Sequence, residues 1–195
     1  MSAVPKKRLC VAEYLAFEKR VEFKSEFYRG EMFAMAGASI PHNRIKDNTL
    51  IELGNRLKGT PCRTYSSDQR VLVEATGLYT YPDILVVCGP EALDPADKDT
   101  LTNPTAIVEI LSPSTERYVR GAKFRNYQQM PTLKEYVLIA QDEAVCERFV
   151  RQTDQSWALV SFVGLEAVLK FTSIAAEILL ADIYAGVTLP DVPSQ

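Results

Sequence analysis

Two acidic residues stand inside strongly apolar stretches of the sequence. Asp83 lies in Tyr-Pro-Asp-Ile-Leu-Val-Val-Cys at 81–88, and Glu109 lies in Thr-Ala-Ile-Val-Glu-Ile-Leu at 105–111. Runs of this kind are typical of strands that are covered on both faces. Burying an ionised carboxylate there is costly unless it is paired or binds a metal. Because neighbouring strands lie ~4.8 Å apart, both side chains could reach one cation, and we interpret them as the acidic centre of a divalent-metal site.

The available ligand types indicate which metal would bind. Oxygen ligands, a single histidine and the lack of a C-x-x-C pair favour Mg²⁺ or Mn²⁺ over Zn²⁺. Each acid also has a structural explanation. Asp83 follows Pro82 and could mark the start of a strand, while Glu109 could pair with Arg63 or Arg70.

Basic residues are concentrated just after the predicted strand that contains Glu109. Residues 112–134 carry five basic residues and one acidic residue, whereas 141–195 carry eight acids and three bases. Lys123 lies in a predicted helix within the basic segment, and Tyr127 follows one turn later on the same face. Together they could hold a phosphate and a water molecule. A solvated helix face, with Lys123 as a surface lysine, is the alternative.

Three further residues are candidates for the same site. Glu31 follows a predicted hairpin turn and is either a third acid near the metal or a solvent-exposed glutamate. Asp68 could bind the metal, although we favour a structural pair with Arg70. His42 lies on the apolar face of a predicted helix and is either a core histidine or a residue that lines the site.

Residues typical of turns and helix caps predict where the helices and strands in the rest of the chain begin and end. Ser39 and Pro41 predict the start of a helix, and Gly59-Thr60-Pro61 predicts its end. The other predicted elements are a helix at 11–18, a hairpin of 21–28 and 31–35, strands at 62–74, 81–88, 105–111 and 135–140, a surface loop at 89–104, a helix from 116 to about 130 with a break near Gly121, and short antiparallel strands followed by a turn or helix up to 184.

This order of elements predicts an α/β sandwich, in which a mixed central β-sheet is flanked by helices. An N-terminal hairpin and C-terminal antiparallel strands would be added to it. The 195 residues, 47% hydrophobic and 24% charged, are ordinary for a globular protein. We predict a flexible N-terminus at 1–10, one domain at 11–187 and a C-terminal tail at 188–195.

Composition also limits where the protein works and what it binds. No run of 18 apolar residues is present and no hydrophobic segment follows the first basic residues, so we expect a cytoplasmic protein that does not enter a membrane. The four cysteines, Cys10, Cys62, Cys88 and Cys146, are widely spaced, and we expect reduced thiols. A net charge of -3 argues against nonspecific coating of nucleic acid.

Several motifs together resemble those of a known family. In chain order they are Arg29-Gly30-Glu31 with Met35-Ala36-Gly37, His42-Asn43, Ser67-Asp68-Gln69-Arg70-Val71, Tyr81-Pro82-Asp83, Val108-Glu109-Ile110-Leu111-Ser112-Pro113-Ser114-Thr115, and Arg120-Gly121-Ala122-Lys123-Phe124 through Tyr127. With this order and spacing, residues 11 to 187 resemble the Uma-two family of restriction endonucleases, which has the PD-(D/E)XK nuclease fold.

The resemblance implies a restriction-endonuclease-like sandwich and Mg²⁺- or Mn²⁺-dependent hydrolysis of phosphodiester bonds, with DNA as the expected substrate. The pattern of this fold contains an aspartate, a glutamate and a lysine two residues after the glutamate. Asp83 and Glu109 match the two acids, but Leu111 occupies the position of the lysine. In this family the substitute is Lys123. Asp83 and Glu109 would then hold the metal, while Lys123 would orient water or balance charge in the transition state.

Two other classes of function remain open. Since the strand lysine is missing, the protein could be a catalytically weak or inactive module that binds nucleic acid or a protein partner without cutting. It could also be a structural dimer unit, in which the acidic, strand-rich C-terminal third supplies an edge for self-association. We expect a homodimer, because dimers are the commonest oligomers.

Overall fold

The computed structural model describes residues 8–35 and 37–190. Ala36 of the Met35-Ala36-Gly37 motif lies outside the described residues, as do 1–7 of the predicted flexible N-terminus and 191–195 of the predicted tail. None of the helices in the described ranges is both long enough and apolar enough to cross a membrane.

Helices and strands alternate in the following chain order. They are α1 (Val11–Glu18), β1 (Ser25–Tyr28), β2 (Glu31–Ala34), α2 (Ile40–Arg56), β3 (Cys62–Ser66), β4 (Arg70–Val73), β5 (Leu78–Thr80), β6 (Ile84–Cys88), β7 (Leu93–Asp94), β8 (Asp97–Leu101), β9 (Ala106–Ile110), α3 (Glu116–Tyr118), a π-helical turn (Val119–Lys123), α4 (Phe124–Tyr127), β10 (Glu135–Ile139), β11 (Val145–Arg151), β12 (Trp157–Val163), β13 (Val168–Phe171), β14 (Ala176–Leu179) and α5 (Leu180–Ile183).

The central sheet is mixed, as the sequence predicts. Its strand order is β12-β11-β10-β9-β6-β3, in which β9 and β10 run parallel and the other neighbours run antiparallel. Strands β9 and β10 are buried along their whole length. On β9, Val108 packs into one apolar cluster and Ile107 into another, because successive side chains point to opposite faces. Glu109 therefore points to the face of Ile107, where the π-helical turn and α4 lie.

A second six-stranded sheet was not predicted. Its order is β2-β1-β5-β4-β8-β7, so the single strand predicted at 62–74 is two strands in two different sheets. The predicted surface loop at 89–104 contains β7 and β8. Asp97 is buried there. The cost of burying its carboxylate is offset by a hydrogen bond from Thr100 at 2.7 Å and by ion pairs with Arg70 and Lys19. The acidic residues of this segment predict a solvent-exposed loop. The ionic partners that allow Asp97 to be buried lie far away in the sequence, so neighbouring residues do not reveal them.

Two of the four cysteines are oxidised in the structure. Cys62 on β3 lies directly opposite Cys88 on β6, and the two form a disulfide. The prediction of reduced thiols is wrong for this pair, because the strand register that brings the two residues together is not visible in their spacing. Cys10 and Cys146 are free.

The local signals for α2 and for the hairpin are confirmed. The Ser39 side chain accepts a hydrogen bond from the backbone N–H of His42 at 3.2 Å and caps α2. In the hairpin, Arg29 and Gly30 have φ values of 51° and 84°, the left-handed conformation that a tight turn of this type requires. The predicted break near Gly121 corresponds to the π-helical turn between α3 and α4.

Candidate active site

Asp83 and Glu109 meet where β6 begins and β9 ends. The antiparallel register pairs Ile84 with Val108, and one further step places Asp83 opposite Glu109 on the same face of the sheet. The Oδ2 atom of Asp83 accepts a hydrogen bond from the backbone N–H of Ile110 at 2.8 Å. This bond fixes the Asp83 carboxylate beside the end of β9.

Glu109 is buried against two side chains of the helical segment that follows β9. Its Oε1 atom lies 2.8 Å from Lys123 Nζ and accepts a hydrogen bond from the Tyr127 hydroxyl at 2.9 Å. Burial raises the pKa of the Glu109 carboxyl to about 7, since the effect of burial, reinforced by the charge of Asp83, exceeds the opposing effect of Lys123. The Glu109 carboxyl of the folded protein therefore binds its proton more tightly than the carboxyl of an exposed glutamate does.

Lys123 occupies a position between two carboxylates. Besides Glu109, its Nζ atom lies 3.2 Å from Oε1 of Glu26 on β1. Burial alone would lower the pKa of Lys123, but Glu109 and Glu26 together raise it well above its usual value. The buried ammonium group consequently stays protonated.

Glu26 is a site residue that the sequence reasoning missed. It also accepts hydrogen bonds from the hydroxyls of Thr80 at 2.5 Å and Tyr118 at 2.7 Å. Burial would raise the pKa of its carboxyl, but Lys123 and these hydrogen bonds lower it below the usual value. Glu26 lies between Ser25 and Phe27 in a predicted strand, so the cost of burying its carboxylate is the sequence signal that marks it, as for Asp83.

His42 lies at the other side of Asp83. Capping by Ser39 places it in the first turn of α2, and its Nε2 atom lies 3.3 Å from Oδ2 of Asp83. The Nδ1 atom of His42 is buried and has no hydrogen-bond partner in the part of the chain that the structure describes. The structure thus brings His42 to the acidic pair as a residue that lines the site.

Two predicted site residues are not brought to this group. Glu31 is exposed on β2 opposite Tyr28 and does not line the cleft. Asp68 is exposed and pairs with Lys24 at 2.5 Å rather than with Arg70. The acid that the hairpin contributes is therefore Glu26 on its first strand, not Glu31 on its second.

The acidic pair opens into a cleft of about 1020 Å³ that Asp83, Glu109, Lys123, Glu26 and His42 help to line. Contacts within the described ranges use Oδ2 of Asp83 and Oε1 of Glu109, which leaves Oδ1 and Oε2 for a cation. No group of three or more His, Cys, Asp or Glu residues that could hold a metal ion occurs at 8–35 or 37–190. Two carboxylates fit Mg²⁺ or Mn²⁺, since Mg²⁺ is usually held by one or two carboxylates together with water and substrate phosphates.

Comparison with known proteins identifies the family. Residues 11–181 match the family model Uma2, described as "Putative restriction endonuclease". The chain belongs to the Uma2 family.

Two relatives from Synechocystis sp. strain PCC 6803 are both described as uncharacterized. Protein slr1290 is 33% identical over 184 residues, which cover 94% of this chain and 95% of the relative. Protein sll1609 is 34% identical over 170 residues, which cover 85% and 94%.

A solved structure shares the fold of this Uma2 protein. The crystal structure of a protein from Anabaena variabilis, described as a "putative nuclease belonging to DUF820", superimposes with a TM-score of 0.71. The match covers 90% of this chain and 97% of the other chain at 17% sequence identity. This likeness confirms the predicted nuclease-like α/β fold with its mixed sheet.

Proposed function

We propose that this Uma2 protein is a divalent-metal-dependent endonuclease that hydrolyses phosphodiester bonds in DNA. One observation carries the proposal. Asp83 and Glu109 lie opposite each other on adjacent strands at the floor of an open cleft, with the ammonium group of Lys123 2.8 Å from Glu109. Membership of the Uma2 family supports the same reaction.

Each residue of the group would have a distinct part in the reaction. Asp83 and Glu109 would hold Mg²⁺ or Mn²⁺, which supplies Lewis-acid polarisation of the phosphate and a more acidic bound water. Lys123 places a permanent positive charge where negative charge develops on the phosphate oxygens. Tyr127 fixes the orientation of Glu109 through its hydrogen bond to Oε1.

The leucine at the expected lysine position is consistent with activity. Leu111 is buried in the apolar cluster on the Glu109 face of the sheet, so its position is used for packing. Lys123 brings its ammonium group to Glu109 from the π-helical turn instead. Electrostatic stabilisation depends on where the charge lies in space and not on its place in the chain.

Plasmid cleavage tests the reaction. The purified protein should nick or cut supercoiled DNA in MgCl₂ or MnCl₂ and leave it intact in EDTA. The variants Asp83→Asn, Glu109→Gln and Lys123→Met should lose this activity, while Lys98→Met, a change at an exposed lysine on β8, should keep it. Equal cutting by all variants would show that a contaminating nuclease is responsible.

Metal binding provides a test that does not depend on cleavage. Calorimetric titration of MnCl₂ should give a binding isotherm with the wild type and none with Asp83→Ala, because a single remaining carboxylate is a weak ligand set. Identical, negligible heats for both proteins would exclude the metal site. DNA binding without cleavage in any metal would instead support the inactive binding module.

A homodimer and a cytoplasmic location are further parts of the proposal. Strand β12 is an edge of the central sheet and carries no charged residue, while Leu159, Val160 and Val163 are exposed. An unpaired apolar edge strand is a template for pairing with another chain, and two identical edges can pair about a two-fold axis. Fractionation of whole cells tests the cytoplasmic location.

A further inference from the structure

Aromatic side chains surround the acidic group. Phe23, Tyr28, Phe33, Tyr81 and Tyr118 all line the cleft. Phe23 and Phe33 are each about half exposed, and Phe33 is 50% exposed. A single exposed apolar residue needs no explanation, but two exposed phenylalanines at the cleft that holds Asp83 and Glu109 suggest a surface for a ligand with flat apolar faces.

Phe33 has the position of a platform beside the site. The register of the hairpin pairs Phe33 on β2 with Glu26 on β1, so both side chains lie on the same face. Glu26 in turn contacts Lys123. Phe23 packs edge-on against Phe17, whereas none of the ring contacts in the described ranges involves Phe33. Phe33 is thus half exposed on the same sheet face as Glu26, one of the two carboxylates that contact Lys123.

Two further cations line the same cleft. Lys24 Nζ donates a hydrogen bond to the backbone carbonyl of Ser67 at 2.8 Å, and Lys46 Nζ lies 3.5 Å from the Ser67 hydroxyl. Lys24 and Lys46 therefore lie together beside Ser67 at one side of the cleft, although the net charge of the chain is negative. Lys24 also pairs with the exposed Asp68 at 2.5 Å, and Lys46 lies 3.6 Å from the exposed Asp47. A phosphate in the cleft would compete with these two carboxylates for the lysines.

The reacting group lies deep. Glu109 is 3% exposed and Lys123 is 4% exposed, so a phosphate must enter the cleft to approach them. Enzymes that react with a base at a recessed site act on single strands or on nucleotides drawn out of the duplex, and for a phosphodiester the same recess favours a strand that is free to bend into it. A groove that combines cations with aromatic rings is the usual means of binding an unpaired strand, because every base can stack and every linkage carries charge.

From these observations we infer that the cleft binds DNA as an unpaired strand, with a base stacked on Phe33 and the adjoining phosphates near Lys24 and Lys46. The inference rests on the proposed nuclease function and specifies the form of its substrate. A duplex must open, or present a single-stranded end or flap, before its backbone reaches Asp83 and Glu109.

Fluorescence anisotropy compares the two forms of DNA. A labelled twelve-nucleotide thymidine strand and a duplex of equal length are titrated with the full chain in EDTA, so that no cleavage occurs. We expect the single strand to bind at least about tenfold more tightly. Phe33→Ala should weaken strand binding about tenfold, the typical effect of losing one stacked base, and should leave duplex binding unchanged.

Matched variants and a matched ligand isolate stacking. Phe33→Tyr keeps an aromatic ring and should bind the strand as the wild type does. Ile51→Ala, a truncation at another exposed apolar residue outside the cleft, should have no effect. A strand with abasic sites keeps the phosphates but offers nothing to stack, so wild type and Phe33→Ala should bind it equally.

Three results would overturn the inference: equal or tighter binding of the duplex, unchanged strand binding by Phe33→Ala, or an equal loss on the abasic strand. Hydrolysis of bis(p-nitrophenyl) phosphate in MnCl₂ separates this outcome from failure of the nuclease proposal. That small ester should be cleaved by the wild type and by Ile51→Ala but not by Glu109→Gln. Strand binding that depends on Phe33, with no hydrolysis by any protein, would support the strand inference and exclude the nuclease.

Discussion

The ammonium group of Lys123 lies 2.8 Å from Oε1 of Glu109 and reaches this place from a π-helical turn, not from the strand that carries Glu109. In this Uma2 protein the position two residues after Glu109 belongs to Leu111, which packs in the core. Lys123 thus places a positive charge beside Glu109, although the strand position two residues after Glu109 carries no charge.

The charge of Lys123 is expected to be essential. Lys123→Met keeps most of the side-chain length but removes the ammonium group, and cleavage should fall about a hundredfold or more, as for loss of one electrostatic donor. The free energy of unfolding should also fall by roughly 3–5 kcal/mol, because Glu26 and Glu109 would be left buried without a cation. Plasmid cleavage and urea denaturation measure the two effects.

A structural role alone would give a different result for Lys123. Lys123→Arg retains the positive charge but not the point-like ammonium group, so it should recover most of the stability and only part of the activity. If Lys123→Met were stable and cleaved DNA at the wild-type rate, Lys123 would have no part in catalysis.

Glu26 is expected to act as a positioning residue for Lys123. Glu26→Gln removes one of the two charges that hold the ammonium group, so kcat should fall about tenfold while KM stays unchanged, as expected when ground-state binding is retained. Steady-state cleavage of a labelled oligonucleotide provides both constants. The affinity for Mn²⁺ should not change, because Asp83 and Glu109 remain.

The same hairpin offers the control for Glu26. Glu31 lies on the paired strand, is exposed and does not line the cleft. Glu31→Gln should therefore behave as the wild type in kcat, KM and stability. Loss of activity in Glu31→Gln together with normal activity in Glu26→Gln would support the role that the sequence assigned to Glu31 and refute the one assigned to Glu26.

The buried Glu109 carboxyl should make stability depend on pH. Its pKa is raised by burial from 4.5 to about 7, so the folded protein binds this proton more tightly than the unfolded chain does. In metal-free protein, the stabilising contribution from protonation is complete below about pH 4.5 and is lost as the pH rises through about 7, amounting to about 3 kcal/mol. Denaturation in EDTA at a series of pH values measures it.

Replacement of the carboxyl isolates this effect from other titrating groups. Glu109→Gln should be more stable than the wild type above about pH 7, and the difference between them should shrink as the pH falls towards about 4.5. Glu166→Gln, at an exposed glutamate, should follow the wild-type curve. A constant difference between Glu109→Gln and wild type at all pH values would show that Glu109 does not titrate as described.

Local features of the sequence were sufficient to predict parts of the fold. The mixed sheet followed from apolar runs such as 105–111, and the start of α2 followed from Ser39 and Pro41, because burial and capping depend on neighbouring residues. The structure also brings together Asp83, Glu109, Lys123, Tyr127 and His42. Their catalytic and metal-binding roles remain predictions.

The errors concern contacts between segments that are distant in sequence. The disulfide of Cys62 and Cys88 depends on the register of β3 and β6, and Glu26 gains its importance only when β1 packs near the π-helical turn. The second sheet was missed because the buried pair of Arg70 and Asp97 makes an acidic segment part of the core. Neither composition nor periodicity carries information about such pairings.

The apolar edge at β12 should control oligomeric state. Its residue Val163 is 70% exposed, and the strand has no charged residue to discourage pairing with a second copy. Sedimentation velocity should show a dimer for the wild type. Val160→Lys should weaken the dimer at least about tenfold, because two lysines would then face each other near the two-fold axis and edge lysines oppose strand pairing. Leu93→Lys, at an exposed apolar residue on β7, should remain dimeric. A wild-type monomer at about 100 µM would exclude a dimer of ordinary micromolar affinity.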